Sequence, residues 1–405
     1  MLYLLSNTPN HDLVFIDNGA VKYSEKVLLE KILNHSPQAV GFGGTMLEWP
    51  QAARLAKLLK GKGIKTIYGG SNATANPGKH IHYFDYVVRG EGETVFGPLL
   101  DCIESKRVPV AVPGVCFVGK VKEVIKPTVL GTDLGKVNWP ARHKLSLKHY
   151  TRTVGYGKKG AVADIIVSGR GCPYNCRFCS ARYIWERTSN FRPMEDIIEE
   201  IKYMQKYFGT QVIHFREDLF VINRKRVMEF CEHASKLGIK WSCQIRIDLV
   251  EKDFIQHLKQ CGCVGLGMGF ESANDSTLKY IGKGFDRKRL DRTVEILEDV
   301  GIHWSGGFMV GVLNEGQEEI LNTFRLIKQF RKYKYCKMSF GAMRFIGMPV
   351  SEMYFEMKKK KLVTFDWHKG ELLIPRTVKL TAKGVDAAID KGIQLMGGPA
   401  NPFKF

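Results

Sequence analysis

The stretch Gly171-Cys172-Pro173-Tyr174-Asn175-Cys176-Arg177-Phe178-Cys179-Ser180 sets three cysteines on one short loop, at C-x3-C-x2-C spacing. Thiolates are soft ligands suited to iron–sulfur clusters or to zinc. A structural zinc site or an electron-transfer cluster normally takes four protein ligands. This motif offers three, so a cubane held here keeps one iron free for a small molecule. The competing readings are a zinc loop, or cysteines that simply pack as small apolar side chains.

Ser168-Gly169-Arg170-Gly171 precedes the first cysteine, and Phe178 stands one place before the last. With these neighbours the loop resembles the radical S-adenosylmethionine (radical SAM) superfamily, whose signature is C-x3-C-x-aromatic-C. The resemblance implies that Cys172, Cys176 and Cys179 hold a [4Fe–4S] cluster. It implies further that the free iron binds the amino and carboxylate groups of SAM, whose cleavage yields a 5′-deoxyadenosyl radical. Those expectations are carried by downstream motifs that fall in matching order.

The whole chain bounds the reading. Its 405 residues are enough for two or three domains, its composition is that of a globular protein, and no apolar run reaches transmembrane length. Ten scattered cysteines in a chain this long do not form a secreted disulfide framework. A reducing cytoplasm is therefore the expected compartment. The net charge is +20, yet residues 1–105 balance ten basic against ten acidic groups, so the whole excess lies downstream. A basic catalytic half suits an acidic substrate or protein partner, or serves as a solubility surface.

Residues 1–105 alternate strand and helix signals, as βα units around a parallel sheet do. The strands are expected at Leu13–Ile16, Ala39–Gly43, Thr66–Tyr68 and Tyr86–Val88. Glycine-rich turns follow them at Gly43-Gly44-Thr45, Gly69-Gly70 and Arg89-Gly90-Glu91-Gly92-Glu93. The stretch is similar to the cobalamin-binding, Rossmann-like domain of B12-dependent radical SAM enzymes, matching at Gly69-Gly70-x-x-Ala73-Thr74 and at Gly90-Glu91-Gly92. The resemblance implies that Gly69, Gly70, Thr74, Gly90, Glu91 and Gly92 border cobalamin. No Asp-x-His-x-x-Gly occurs, so the cobalamin would be base-off without a histidine ligand. Met1–Leu5 precedes Leu13–Ile16 too closely for a parallel crossover. The first domain is accordingly expected to be abbreviated, with Met1–Ser6 read as a helix tail or the first helix as deleted.

A connector is expected over 106–160, punctuated by prolines and closed by the turn Gly155–Gly160. A second βα series then runs from Ala163, giving six units over 161–345 and a C-terminal extension over 346–405. This is the partial (β/α)6, TIM-like barrel that the resemblance implies, with its working groups at the C-terminal ends of the strands. Glu217-Asp218 follow the second strand, where they could accept hydrogen bonds from SAM or substrate, or Asp218 could cap a helix. Trp241-x-Cys243-x-x-Arg246-x-Asp248 ends the third. Its Arg246 could fork onto the SAM carboxylate or pair with Asp248. Glu271-Ser272 follow the fourth, where the resemblance implies contact with SAM. Gly307-x-Met309-x-Gly311-x-x-x-Glu315 ends the fifth, where Met309 and Gly311 would lie against adenine with Phe178 opposite. Cys261 and Cys263 stand at the other end of the barrel and are read as packing residues.

The fold class is thus α/β, a radical SAM barrel preceded by an abbreviated Rossmann-like domain. The function that follows is a radical SAM enzyme performing cobalamin-dependent methylation of an unactivated carbon or a phosphinate. Radical rearrangement, cyclisation or oxidation without methyl transfer is the alternative. A methylthiotransferase fits less well because residues 1–105 contain only Cys102. A basic RNA- or protein-binding factor with a structural cluster is the reading from another class. The expected partners are a small-molecule or peptide substrate and a reductant such as flavodoxin or ferredoxin. No residue is assigned as catalytic.

Overall fold

A computed structural model describes residues 1–46, 48–152, 160–338, 341–362 and 376–397. The expected turn Gly155–Gly160 falls almost wholly outside them. Met1–Thr151 form one compact unit, and the described residues from Arg152 onward form a second.

The first unit is built on strands β1 (Ala39–Gly43), β2 (Lys65–Gly69) and β3 (Tyr86–Val88), parallel and adjacent in that order. Strand β4 (Val115–Val118), from the expected connector, joins antiparallel to β3, and β5 (Glu123–Val124) joins β4. Period-two alternation covers both faces. Tyr68 packs with Trp49, Ala52 and Ala56 of the helix Trp49–Lys60. Its neighbour Ile67 packs with Phe96, Leu99 and Leu100 of the helix Phe96–Glu104.

Leu13–Ile16 does not form the expected strand. Met1–Ser6 contributes the helix Leu2–Ser6 instead, and the segment after it divides its apolar side chains between two clusters. Leu13 packs beside Phe96, and Ile16 beside Leu28 and Leu55.

In the second unit, β6 (Ala163–Ile166) leads to a short antiparallel ribbon of β7 (Gly169–Gly171) and β8 (Ser189–Phe191). The main sheet continues with β9 (Val212–Phe215), β10 (Lys240–Gln244), β11 (Cys263–Glu271), β12 (His303–Val310) and β13 (Met343–Arg344). Six strands lie in the order β6-β9-β10-β11-β12-β13, every pair parallel. This is the expected half-barrel.

Helices cover one face of the sheet. Met194–Phe208 shows why such segments are helical: Ile197, Ile198, Ile201 and Met204 recur on one buried stripe. Glu195 and Asp196 sit in its positively polarised first turn. Gly209, at φ 65°, ends it in the left-handed conformation that glycine adopts without penalty. Ile213 and Phe215 of β9 and Trp241 of β10 point to this helical layer, and Phe215 stacks on Phe220 at 4.0 Å. Phe270 of β11 meets Trp304, Phe308 and Phe330. Burying each such ring contributes about 1.5–3 kcal/mol. The layer is tight: a Cβ on Gly306 would lie 2.2 Å from Phe270, so Gly306→Ala would break it.

The intervening residues face the other way, into the concave side. There stand His214, Ser242, Gln244, Gly267, Gly269, Ser305 and Gly307, all small or polar. Among the described residues no helix is long and apolar enough to cross a membrane.

Candidate active site

The three-cysteine loop leaves the sheet through β7. Gly171 has φ 91°, and a Cβ there would lie 2.1 Å from the Thr188 carbonyl oxygen, so only glycine lets the ribbon close before Cys172. The Cys179 amide donates to the Cys176 carbonyl at 3.1 Å, curling the loop back on itself. Its other side chains are anchored away from the sulfurs. The Arg177 guanidinium donates to Glu352 at 2.5 Å and to Glu356 at 2.8 Å, and lies over the Tyr280 ring. Phe178 packs with Leu278, Met309, Val312 and Met353. The helix Glu352–Lys359 of the C-terminal extension therefore clamps the loop.

All three thiols are free. Burial pushes Cys172 up, and Cys179 up to about 11, with neighbouring thiols adding to both. Such thiols ionise when a metal displaces their protons. Arg246 Nη1 lies 3.7 Å from Cys176 Sγ, which sets a permanent cation against the site. Three soft donors on one loop beside a guanidinium fit a [4Fe–4S] cluster with one iron left for an outside ligand.

The strand-end groups divide into those turned to the site and those used to build it. Ser168 Oγ donates to Glu217 Oε1 at 2.6 Å, and burial pushes the Glu217 carboxyl up to about 7. Asp218 accepts from the Gly171 amide and from Trp185, so it holds the entry to the cysteine loop; burial raises its pKa. It caps no helix: Asn223 caps Arg224–Leu237. Arg246 forks onto Asp248 at 2.8 and 3.2 Å, donates to the Lys283 carbonyl at 2.7 Å, and lies 3.7 Å from the Tyr174 ring centroid. The pair with Asp248 is thus formed, and the guanidinium braces the loop.

Glu271 sits at φ 67° where the β11–β12 register shifts, an uncommon conformation for a non-glycine residue. Strain of this kind, about 1–3 kcal/mol, persists where surrounding structure imposes it. Its Oε1 accepts from Lys283 Nζ at 3.1 Å. Ser272 turns inward and donates to Glu315 at 3.2 Å. Glu315 is fully buried and also accepts from the Gly311 and Val312 amides and the Thr277 hydroxyl. Burial pushes it up to about 7. Ser272 and Gly311 therefore shape the β11 and β12 turns, while Met309 joins the apolar cluster against Phe178.

Sequence reasoning missed Lys283, which is buried between the Phe178 and Phe285 rings and paired with Glu271. The run Gly282-Lys283-Gly284, whose glycines have φ 72° and 79°, was its available signal. Also missed was the concave floor, where His214 Nδ1 lies 2.8 Å from Ser242 Oγ.

In the first unit, the glycines expected at cobalamin mostly answer to the chain itself. A Cβ on Gly90 would lie 2.1 Å from the Val129 carbonyl oxygen, and the two residues form a bridge. Thr74 Oγ1 donates to the Gly70 carbonyl at 3.0 Å and accepts from the Gly90 amide at 2.9 Å. Glu91 is buried and accepts from the Thr132 amide at 2.8 Å. Gly92 receives Leu4 from the helix Leu2–Ser6. Gly69 is open: a Cβ there would meet only Val88 Cβ, at 3.9 Å. His80 is buried between Trp49 and Tyr68, and burial pushes it down to about 4. Of these strand ends Gly69 is the open position, while Met1 and Glu48 stand against Gly43 and Gly44.

Residues 166–327 match the family model described as the radical SAM superfamily. An uncharacterized methyltransferase, PH0819, of Pyrococcus horikoshii is 26% identical over 90% of this chain and 79% of its own length. The anaerobic magnesium-protoporphyrin IX monomethyl ester cyclase of Rubrivivax gelatinosus is 26% identical over 90% of this chain, which spans 66% of that relative's length. Among solved structures, the radical SAM methyltransferase TsrM of Kitasatospora setae, with cobalamin and a [4Fe–4S] cluster bound, superposes with a TM-score of 0.69. That match is 14% identical and covers 89% of this chain and 71% of the other.

Proposed function

We propose that this chain, whose residues 166–327 are a radical SAM domain, is an enzyme that methylates an unactivated carbon or a phosphinate with the aid of cobalamin. The observation that carries the reading is the three-thiol loop at the strand-end face of a parallel half-barrel, with Arg246 3.7 Å from Cys176 Sγ. Cys172, Cys176 and Cys179 would hold the [4Fe–4S] cluster. Glu271, with Lys283 beside it, would hold SAM, and Phe178 and Met309 would supply apolar contact to its adenine. Gly69, the open strand end, would border the corrinoid. When bound, the cluster supplies the electron that cleaves SAM, and cobalamin supplies a methyl-carrying centre.

The chain's own residues position and exclude. Lys283 and Glu271 offer a donor and an acceptor side by side, which suits a zwitterionic amino acid group and a ribose hydroxyl. The apolar cluster around Phe178 covers one side of the loop, whose Cys172 and Cys179 are half-buried. On the concave floor Gln244 lies over Gly267 and Glu271 with Lys283 over Gly269, which leaves the open space above Gly307, with His214 and Ser242 to orient a substrate by hydrogen bonds. The excess positive charge favours an acidic reductant such as flavodoxin.

A second reading, radical cyclisation or rearrangement without methyl transfer, is favoured by one observation. Gly70, Thr74, Gly90 and Glu91 are engaged within the first unit, which leaves a corrinoid few of its expected contacts. Spectra of protein purified with hydroxocobalamin and then desalted separate the two. Retained stoichiometric corrinoid supports methyl transfer, and none retained moves the assignment to the second reading.

A further inference from the structure

Four cysteines outside the loop gather at the opposite end of the half-barrel. Cys231 lies on the helix Arg224–Leu237, Cys261 follows the helix Lys252–Gln260, Cys263 opens β11, and Cys243 lies on β10. His257 precedes Cys261 by four residues, so the two share one helical face. The ligand atoms of Cys231, His257 and Cys261 all lie within 4.8 Å of one another. His257 Nε2 stands 3.5 Å from Cys261 Sγ.

We infer that Cys231, His257 and Cys261 form a second metal site, for zinc or a like divalent ion, separate from the cluster loop. Bonds of about 2.3 Å to sulfur and 2.1 Å to nitrogen place tetrahedral neighbours about 3.6 Å apart. The His257–Cys261 separation already meets that requirement. Two thiolates neutralise a divalent cation, so the buried site carries no net charge. Mixed nitrogen and sulfur donors suit zinc better than an all-thiolate cubane. Cys231 is fully buried and Cys261 nearly so, while His257 is half-buried and gives the ion its way in, with water in the fourth position. The site ties two covering helices to the start of β11, whose far end carries Glu271. Three protein donors leave its fourth position open, unlike a closed structural zinc site, and it touches no group placed at the active site.

Holoenzyme prepared anaerobically, loaded with zinc and desalted, should retain one zinc per chain beside its cluster iron. A Cys172→Ala/Cys176→Ala/Cys179→Ala variant should lose the iron and keep the zinc. Cys231→Ser and Cys261→Ser should each lower zinc retention by roughly tenfold or more, with iron content and SAM cleavage unchanged. Cobalt(II) added to the unsubstituted holoenzyme gives a readout that does not depend on those variants folding. Intense visible bands with thiolate charge transfer are expected. A weak octahedral spectrum, or zinc lost on desalting the folded holoenzyme, would overturn the site.

Discussion

Arg246 Nη1 stands 3.7 Å from Cys176 Sγ while its Nε and Nη2 fork onto Asp248. The carboxylate fixes the guanidinium, and the guanidinium presents a charge to the sulfur that would ligate iron. Reduction adds negative charge to a cluster, so a fixed neighbouring cation favours the reduced state. Arg246→Leu should therefore make the cluster's reduction potential more negative, read by an EPR-monitored titration. An unchanged potential would mean that the cation serves packing alone.

The Glu271–Lys283 pair separates holding SAM from holding the fold. Glu271→Ala strands a buried ammonium, at a cost of about 3–5 kcal/mol. Adding Lys283→Met should recover most of that stability in urea titrations, because both charges are then gone. SAM binding by equilibrium dialysis should stay lost in the double variant. Normal SAM binding by Glu271→Ala would remove the residue from the site.

Glu315 predicts a pH signature. Its folded pKa, about 7, lies above the 4.5 of an ordinary glutamate, so the protonated form is favoured by folding. The stability it contributes is full below pH 4.5 and falls as pH rises towards 7, by at most about 1.4 kcal/mol per pH unit. Glu315→Gln should flatten this slope. Glu315→Ala should cost several kcal/mol, at about 1–3 for each stranded donor. Unfolding followed at pH 5, 6 and 7 tests both, and equal slopes in wild type and Glu315→Gln would refute the assignment.

The clamp on the cysteine loop is testable by salt and by chelation. Glu352→Ala/Glu356→Ala removes both carboxylates from Arg177. The variant should fold, yet release iron to a chelator several-fold faster than wild type. Equal release rates would make the tail helix irrelevant to the loop.

Much of this fold was legible because its signals are local. The strand-helix alternation after Ala163 and the isoleucine stripe of Met194–Phe208 lie in the order of residues. What was not legible lay in contacts distant in sequence. Leu13–Ile16 looks like a strand until its side chains are seen to serve two clusters. The partner of Gly90, Val129, lies far along the chain and could not be read from the local motif. Arg246 left two readings open; its Nε and Nη2 pair with Asp248, while Nη1 is turned to the cysteine loop. Lys283 was hidden because its partner lies across the β11 register shift. His214 was hidden because an alternating strand does not declare which face is concave.

Turnover separates a reacting cluster from a structural one. Wild-type protein and the Cys172→Ala/Cys176→Ala/Cys179→Ala variant are reconstituted anaerobically with iron, sulfide and hydroxocobalamin, then given SAM and a low-potential reductant. The account predicts about four irons in the wild type, with 5′-deoxyadenosine and S-adenosylhomocysteine both formed, and neither iron cluster nor 5′-deoxyadenosine in the variant. A variant that keeps its iron, or a wild type that carries the cluster and leaves SAM intact, would contradict it.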